Sequence, residues 1–412
     1  MNLPLQTPTP CSEAIATPSC TSMRAGLVWL FAIASGLCVA NVYYAQPLLD
    51  LLAASLGISL AAVGSVVTAT QIGSALALLL LVPLGDRLER RRLMLAQLLA
   101  LVVALLWVAW AQSPWLLLAG MLAIGLLGTA MTQGLIAYAA SAAGDNERGR
   151  VVGAAQAGVF IGLLMARVVA GAVADLGGWR SVYVVSALVM LLLAGFLYRR
   201  LPRLPATAET MSYVQLIASM ARLLRQDRVL QIRGMLALLM FAAFNIFWSA
   251  LVLPLSAPPF GYSHTAIGAF GLVGVIGALG ATGAGRWVDR GRGQTVTAMA
   301  LLVLLLAWWP LSLMPQSLWA LAAGIVLLDL GGQALHVSNQ SMILREQSQA
   351  HSRLVGLYML FYAVGSGVGA IATTATYARA GWSGVCMLGA ATCGAAGVFW
   401  LVTRRYMPEQ LQ

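Results

Sequence analysis

Apolar runs of about twenty residues recur along the whole chain, parted by short polar loops. Wound as helices, such runs cross a hydrocarbon core of about 30 Å. They predict six spans at about 25–46, 60–83, 94–111, 115–140, 151–172 and 181–198. Six more follow at about 233–255, 264–286, 295–313, 317–343, 354–377 and 382–403. The densest interruption is Gly85-Asp86-Arg87-Leu88-Glu89-Arg90-Arg91-Arg92, between the second and third runs. A looser copy, Gly285-Arg286-Trp287-Val288-Asp289-Arg290-Gly291-Arg292, stands half a chain later. The longest polar interruption, about 199–232, carries Val214, Ile217, Met220 and Leu224 at helical spacing. That spacing reads either as an amphipathic helix on the membrane surface or as a solvated hinge with some helix. Residues 1–23 are rich in Pro, Thr and Ser, the composition of a disordered tail and not of a signal peptide.

Composition sharpens this picture. Of 412 residues 60% are hydrophobic and 9% charged, against about 25% charged in soluble globular proteins. The fold class is therefore an all-α integral membrane protein. All 24 basic residues are arginine, and nearly all lie in the loops between spans. One set of loops holds most of them, and the opposite set holds only Arg180 and Arg379. By the positive-inside rule the rich side is cytoplasmic, with both termini there. The net charge of +11 thus reports topology, and no basic stripe for nucleic acid is present. No Gly-rich phosphate loop appears, and His264, His336 and His351 are scattered. Cys11, Cys20, Cys38, Cys386 and Cys393 form no disulfide or zinc framework. Neither an enzyme nor a cofactor or metal is expected.

The two charged loops also fix a repeat. Asp86 and Asp289 are 203 residues apart (289 − 86). The same offset takes Arg150 and Gly153 onto Arg353 and Gly356, and Gly178-Trp179 onto Gly381-Trp382. An offset of 204 takes Asn41 to Asn245, Gly57 to Gly261 and Ser59 to Ser263. These matches join spans of the same orientation, as in two parallel six-helix halves.

Twelve spans in two halves, a long central loop and the charged knot resemble the major facilitator superfamily. Asp86, Arg87, Arg90 and Arg91 match its loop signature, with Val82 and Glu89 where it has glycines. The runs Asn41–Leu48, Val82–Arg91 and Leu328–Gln333, with Asn339-Gln340, are similar to a bacterial group near the proton-coupled drug exporters. Ala130 stands where those exporters carry arginine ahead of Gln133-Gly134, and Arg167 falls where they carry a proline. The resemblance implies twelve transmembrane helices in two pseudo-symmetric six-helix bundles, 24–198 and 233–403. A linker at 199–232 and a cytoplasmic tail at 404–412 complete the chain. It also implies a monomer in a bacterial inner membrane that moves a small molecule by alternating access. Asp86, Arg87, Arg90 and Arg91, with Asp289 and Arg290, would then latch the cytoplasmic side, with Asp145, Glu147, Arg148 and Arg150 as natural partners. Plain topology explains the same arginines.

Candidate chemistry lies inside the spans, where a charge costs about 2.5–3.5 kcal/mol by insertion scales. Two charges sit deep: Asp329 in span ten and Arg167 in span five. Gln333, His336 and Gln340 share a helical face with Asp329. Such a polar stripe should face a cavity or protein and not lipid. Asp329 is a candidate proton-coupling carboxylate, a fixed hydrogen-bond partner, or a contact for a cationic substrate; His336 is a second proton-exchange candidate. Arg167 invites an anion site, or it snorkels, or it pairs with Asp175 or Asp329. In this family spans one, four, seven and ten line the cavity. That implies Asn41, Tyr44 and Gln46, then Thr129, Thr132 and Gln133, then Asn245 and Trp248, beside Gln333 and Gln340. Span eleven adds Tyr358 and Tyr362. Aromatic and amide groups with one acid suit a loosely specified amphipathic organic substrate, exported against protons. A dedicated metabolite or sugar carrier is the alternative, and a non-transporting receptor or scaffold ranks below it. Glycines at every third position of span eight, from Gly271 to Gly283, suggest close helix packing between the halves.

Overall fold

The computed structural model describes residues 25–85, 88–144, 147–201, 212–346 and 351–407. Among them ten helical runs are long and apolar enough to cross a membrane. They are Ala25–Leu56 (span one), Ser65–Leu84 (two), Arg90–Ala109 (three), Pro114–Ala142 (four) and Arg148–Arg200. Then come Arg228–Ser256 (span seven), His264–Val288 (eight), Gly293–Ser312 (nine), Leu318–Ile343 (ten) and Arg353–Tyr406. The run Arg148–Arg200 has 53 residues and Arg353–Tyr406 has 54. At 1.5 Å per residue each is about 80 Å long, more than twice the membrane core. Each therefore makes two crossings. The break falls at Gly178 (φ 78°) in the first and at Gly381 (φ 60°) in the second. A residue with a Cβ resists that backbone, so the matched Gly-Trp pairs mark equivalent hairpins between spans five and six and between eleven and twelve. Gly57 and Gly261, paired by the other offset, also share a positive φ, of 64° and 58°.

The fold is two six-helix bundles lying side by side. Its surface is inverted relative to a soluble protein. Leu192, Phe196, Leu306 and Val398 are exposed, as helices facing lipid require. Trp110, Trp115, Trp309 and Trp319 stand out at the ends of spans three, four, nine and ten, the place of an interfacial aromatic belt. That end is opposite the arginine-rich loops.

The bundles meet along spans two and eleven and along spans five and eight. Thr68 Oγ1 donates to the Gly367 carbonyl (2.7 Å), and Thr374 Oγ1 donates to Ala61 (3.2 Å). Glycine makes these approaches close. A Cβ on Gly268 would lie 2.4 Å from the Arg167 carbonyl, and one on Gly64 would lie 2.3 Å from Ala370. Other glycines work within a bundle: Gly158 and Gly162 meet span one, and Gly274 and Gly277 meet span ten. The glycine faces thus serve packing inside the halves as well as between them.

The linker forms a helix, Tyr213–Gln226, opened by a capping box of Ser212 and Gln215. Leu216 and Met220 are its buried face, and Met220 joins an apolar cluster with Ile232, Leu354 and Leu357. Val214 points out instead, at 75% exposure. Arg353 Nη1 donates to Ser219 (2.9 Å), and the Tyr213 hydroxyl donates to the Leu80 carbonyl across the bundles (2.8 Å). The segment is a strap docked on protein, neither a solvated hinge nor a helix resting on lipid alone.

Candidate functional site

Pro47 cannot donate a backbone N–H, and span one passes through a short 3-10 turn at Gln46–Leu48. The turn carries Gln46 into the seam between the bundles. There Gln46 Nε2 donates to Asn245 Oδ1 of span seven (2.9 Å), while Arg167 Nη2 donates to Gln46 Oε1 (3.0 Å). The Arg167 guanidinium lies 4.0 Å from the centre of the Trp248 ring and 5.9 Å from that of Tyr43. One arginine so braces spans one, five and seven. Its Nε has no hydrogen-bond partner.

Asp329 completes this centre from span ten. It is 7% exposed, and its Oδ2 has no partner. Span eight makes room for both charges. A Cβ on Gly274 would fall 2.4 Å from Asp329 Oδ2, and one on Gly271 would fall 3.5 Å from Arg167 Cδ. The acid and the guanidinium therefore rest one helical turn apart on the same glycine stripe. Among the described residues no ion pair within 4.0 Å joins them.

On the arginine-rich side of this centre is a cavity of 420 Å³. The first bundle lines it with Thr129, Thr132 and Gln133 of span four and Gln156 of span five. The second bundle contributes Gln333, His336 and Gln340 of span ten, and Phe241 and Tyr362. Its roof is aromatic: the Tyr43 and Tyr362 hydroxyls hydrogen-bond across the bundles, and Phe241 meets Tyr362 edge-on at 4.4 Å. His336 packs edge-on against Phe241 at 5.5 Å and shares a hydrogen bond, through Nδ1, with the Tyr358 hydroxyl (2.9 Å). The residues lining the cavity carry no formal charge apart from what His336 takes up. The volume lies within the range of about 300–1,000 Å³ usual for small-molecule sites.

The other candidates from the sequence are placed elsewhere. Asn41 is buried within the first bundle, where Ser186 Oγ donates to its Oδ1 (2.6 Å). Tyr44 faces the same way and lines an apolar groove with spans five and six. Helical phase is the reason: Val39, Val42 and Tyr43 are the positions of span one that reach the cavity. Tyr358 lies behind His336, at 1% exposure. Gln46, Asn245 and Trp248 belong to the closed seam above the cavity and not to its wall.

Of the loop residues, Asp86, Arg87 and Asp145 lie outside the described residues, as does the side chain of Asp289. Arg90 Nε donates to the Gly85 carbonyl (3.2 Å), and Nη1 donates to the Ser141 hydroxyl. Arg91 donates to the Tyr198 carbonyl and covers the Tyr198 ring. These contacts brace spans of the first bundle. Glu147 pairs with Arg150 at 2.8 Å, and Arg290 is exposed.

Sequence reasoning missed Gln156 and Phe241 of the cavity wall, and also Tyr43 and Arg233. Tyr43 lay beside the residue chosen. Arg233, set at the edge of span seven, is fully buried in its second turn, because the helix starts earlier, capped by Asp227. Arg233 Nη1 donates to Thr297 Oγ1 (2.8 Å), while Nε and Nη2 have no partner. An aspartate followed by helix formers was the available signal for that earlier start.

A neutral polar cavity between two membrane-embedded bundles, capped by a buried acid and arginine, is the architecture of a membrane transporter and not of an enzyme. A family profile described as Major Facilitator Superfamily matches residues 29–315 and 234–412. The chain belongs to that superfamily. It is 42% identical over 371 residues to the uncharacterized transporter YgaY of Escherichia coli O157:H7, covering 88% of this chain and 92% of that one. Among solved structures, a bacterial homolog of the human lysosomal transporter Spinster, inward-facing and occupied, superposes with TM-score 0.73 at 13% identity. The match covers 94% of this chain and 98% of that one. The nucleoside transporter NupG matches with TM-score 0.73 at 16% identity, covering 93% and 100%. At these identities the two structures speak for the fold alone.

Proposed function

We propose that the protein is a proton-coupled exporter of an amphipathic organic compound, working by alternating access. The observation that carries this reading is Asp329: a nearly buried carboxyl with an unpartnered oxygen, beside a partly satisfied arginine, next to a neutral cavity. A carboxyl in such a place can exchange a proton each time the cavity changes sides, and Arg167 supplies compensating charge while it is empty. His336 is the second exchanging group. Residues 24–198 and 233–403 move as two halves, and the neutral, partly aromatic lining takes compounds that carry little fixed charge. The loop carboxylates Asp86 and Asp289 latch the arginine-rich side, taken as cytoplasmic in a bacterial inner membrane, with the transporter acting as a monomer. A dedicated metabolite carrier is the second reading, favoured by the four amides Gln133, Gln156, Gln333 and Gln340, which suit a ligand with fixed hydrogen-bonding groups.

Flux of a compound panel into proteoliposomes under an imposed proton gradient tests both. Wild type should concentrate several unrelated amphipathic compounds, and Asp329→Asn should only equilibrate them. Accumulation of a single polar metabolite class supports the second reading. Equal accumulation by wild type and Asp329→Asn would remove Asp329 from coupling.

A further inference from the structure

At the tryptophan-belt end of the molecule the two bundles are joined by an ionisable cluster that the transport cavity does not use. His264 opens span eight, in the second bundle. Its Nε2 lies 3.0 and 2.9 Å from the two oxygens of Asp50, at the end of span one. Its Nδ1 lies 3.3 Å from Asp175 Oδ1, at the end of span five. Both acids belong to the first bundle. The three side chains are partly sheltered, at 13%, 21% and 26% exposure.

Hydrogen-bond chemistry sets the proton count. A neutral imidazole has one N–H and one lone pair, whereas an imidazolium donates from both nitrogens. Here both nitrogens face carboxylate oxygens, so a neutral ring would turn a lone pair toward one of them. Asp175 also accepts from the backbone N–H of His264 (3.1 Å) and Thr265 (2.9 Å), and from Thr265 Oγ1 (2.6 Å). Those are donors only, the set an ionised carboxylate satisfies, and they cap the N-terminus of span eight, where the helix dipole favours negative charge. Asp175 thus holds span eight whatever the ring carries. A neutral ring serves one acid and turns a lone pair toward the other; the second proton replaces that repulsion with a donor to each acid and adds a positive charge between Asp50 and Asp175.

We propose that His264, Asp50 and Asp175 form a proton-binding clamp, separate from Asp329, that closes this end of the transporter when His264 is protonated. The other charged groups along span eight among the described residues include Arg167, packed at Gly268 and Gly271, and Asp329, at Gly274, with Arg286 and Arg292 at its opposite end, Arg292 over Trp287. The ten residues from His264 to Gly274 span about 15 Å of helix, so Arg167 and Asp329 sit well inside. The cluster lies at the surface opposite the arginine-rich loops. The sign is set by which state binds the proton. The closed state binds it, so closure is complete at low pH and is lost as pH rises through the histidine's titration. One proton changes the closed-to-open ratio by at most about tenfold per pH unit. In a proton-driven exporter, acid on that side would then favour closure behind a loaded Asp329. This consequence rests on the alternating-access reading; the clamp itself does not rest on proton coupling.

The test is a distance measurement on the intact protein in nanodiscs. Spin labels go on Gln112 and Gln316, exposed residues at the tips of equivalent hairpins, after replacement of the five cysteines. Double electron–electron resonance is read between about pH 5 and about pH 8.5, across the ordinary histidine range. Wild type and Asp329→Asn should both shift from the short to the long distance as pH rises, and His264→Gln should not respond. Asp50→Asn keeps the Asp175 cap on span eight and should be equally unresponsive, which guards against a folding defect in His264→Gln. A wild type that does not respond, or a His264→Gln that follows the wild-type curve, overturns the clamp. So does a response lost in Asp329→Asn but kept in His264→Gln, which would assign the titration to the interior carboxyl.

Discussion

Replacing Arg167 by methionine tests whether the two buried charges form one neutral centre. The local contacts of Arg167 leave a surplus of about 1.5–2 kcal/mol. Its hydrogen bond to Gln46 is worth about 1.5–3 kcal/mol as a charged contact, and its place over Trp248 about 1–2 kcal/mol. Against these stands the unpartnered Nε, whose burial costs about 1–3 kcal/mol. The field on Asp329 adds to that surplus. At an effective dielectric of about 20, two unit charges attract by about 4 kcal/mol at about 4 Å and by less beyond it, so a pair outside ion-pair distance is taken at about 2–3 kcal/mol. Asp329→Asn should therefore destabilise the protein by about 2–3 kcal/mol, and Arg167→Met by about 2 kcal/mol more, because each strands the other charge. The double variant should lose about 2 kcal/mol less than their sum. The assay is unfolding of the purified protein in mixed micelles by a denaturing detergent, read at alkaline pH so that the carboxyl is ionised. Ser186→Ala is the control: Ser186 bonds Asn41 inside the first bundle, shares no partner with Arg167 or Asp329, and its substitution should add independently to Asp329→Asn. Additivity of Arg167→Met and Asp329→Asn within about 0.5 kcal/mol would refute the shared centre.

Two further outcomes follow from the packing. Gly274→Ala places a methyl against Asp329 Oδ2 and should cost about 1–3 kcal/mol, whereas Gly283→Ala, with nothing within 4 Å of its added Cβ, should be neutral or slightly stabilising. The same unfolding titration checks both, and equal behaviour of the two would contradict the glycine-stripe geometry. Arg233→Met removes a fully buried cation that two hydroxyl and amide oxygens satisfy only in part. Replacing such a charge by an apolar side chain of similar volume is commonly neutral or stabilising by about 1–4 kcal/mol; a loss above about 2 kcal/mol, measured as a shift of the unfolding midpoint, would show that this guanidinium holds the second bundle together.

The spans were legible because each is a run long enough to cross lipid, and the hairpin breaks because Gly178 and Gly381 recur at a fixed offset before tryptophan. The stripe on span ten was legible for the same periodic reason, and Gln333, His336 and Gln340 do share the cavity wall. Span one was harder. Periodicity gives a face but not its direction, and it is the face of Val39, Val42 and Tyr43, not that of Tyr44, that reaches the cavity and Tyr362. Trp248 and Asn245 lie on a seam-facing helix, yet their height relative to the cavity depends on how the bundles tilt, which no local pattern encodes. The His264 cluster was illegible for a stronger reason. Its members stand 214 and 89 residues apart, and only the docking of one bundle on the other brings them together.

That docking also sets how firmly this end is held. The end remote from the arginine-rich loops is held by discrete polar contacts: Gln46 to Asn245, Tyr43 to Tyr362, Thr68 to Gly367, Thr374 to Ala61, and His264 to its two acids. A neutral intramolecular hydrogen bond contributes about 0.5–1.5 kcal/mol net and one to a charged group about 1.5–3 kcal/mol, so these contacts together hold this end by about 5–12 kcal/mol. Moving a two-state equilibrium from 1:99 to 99:1 takes about 5.5 kcal/mol, a shift of the same order as these contacts. A large apolar interface in the same place would bury more area and lock the bundles together. Close backbone approaches at Gly64 and Gly268 bring the halves into register, so much of the contact along the seam is backbone against backbone.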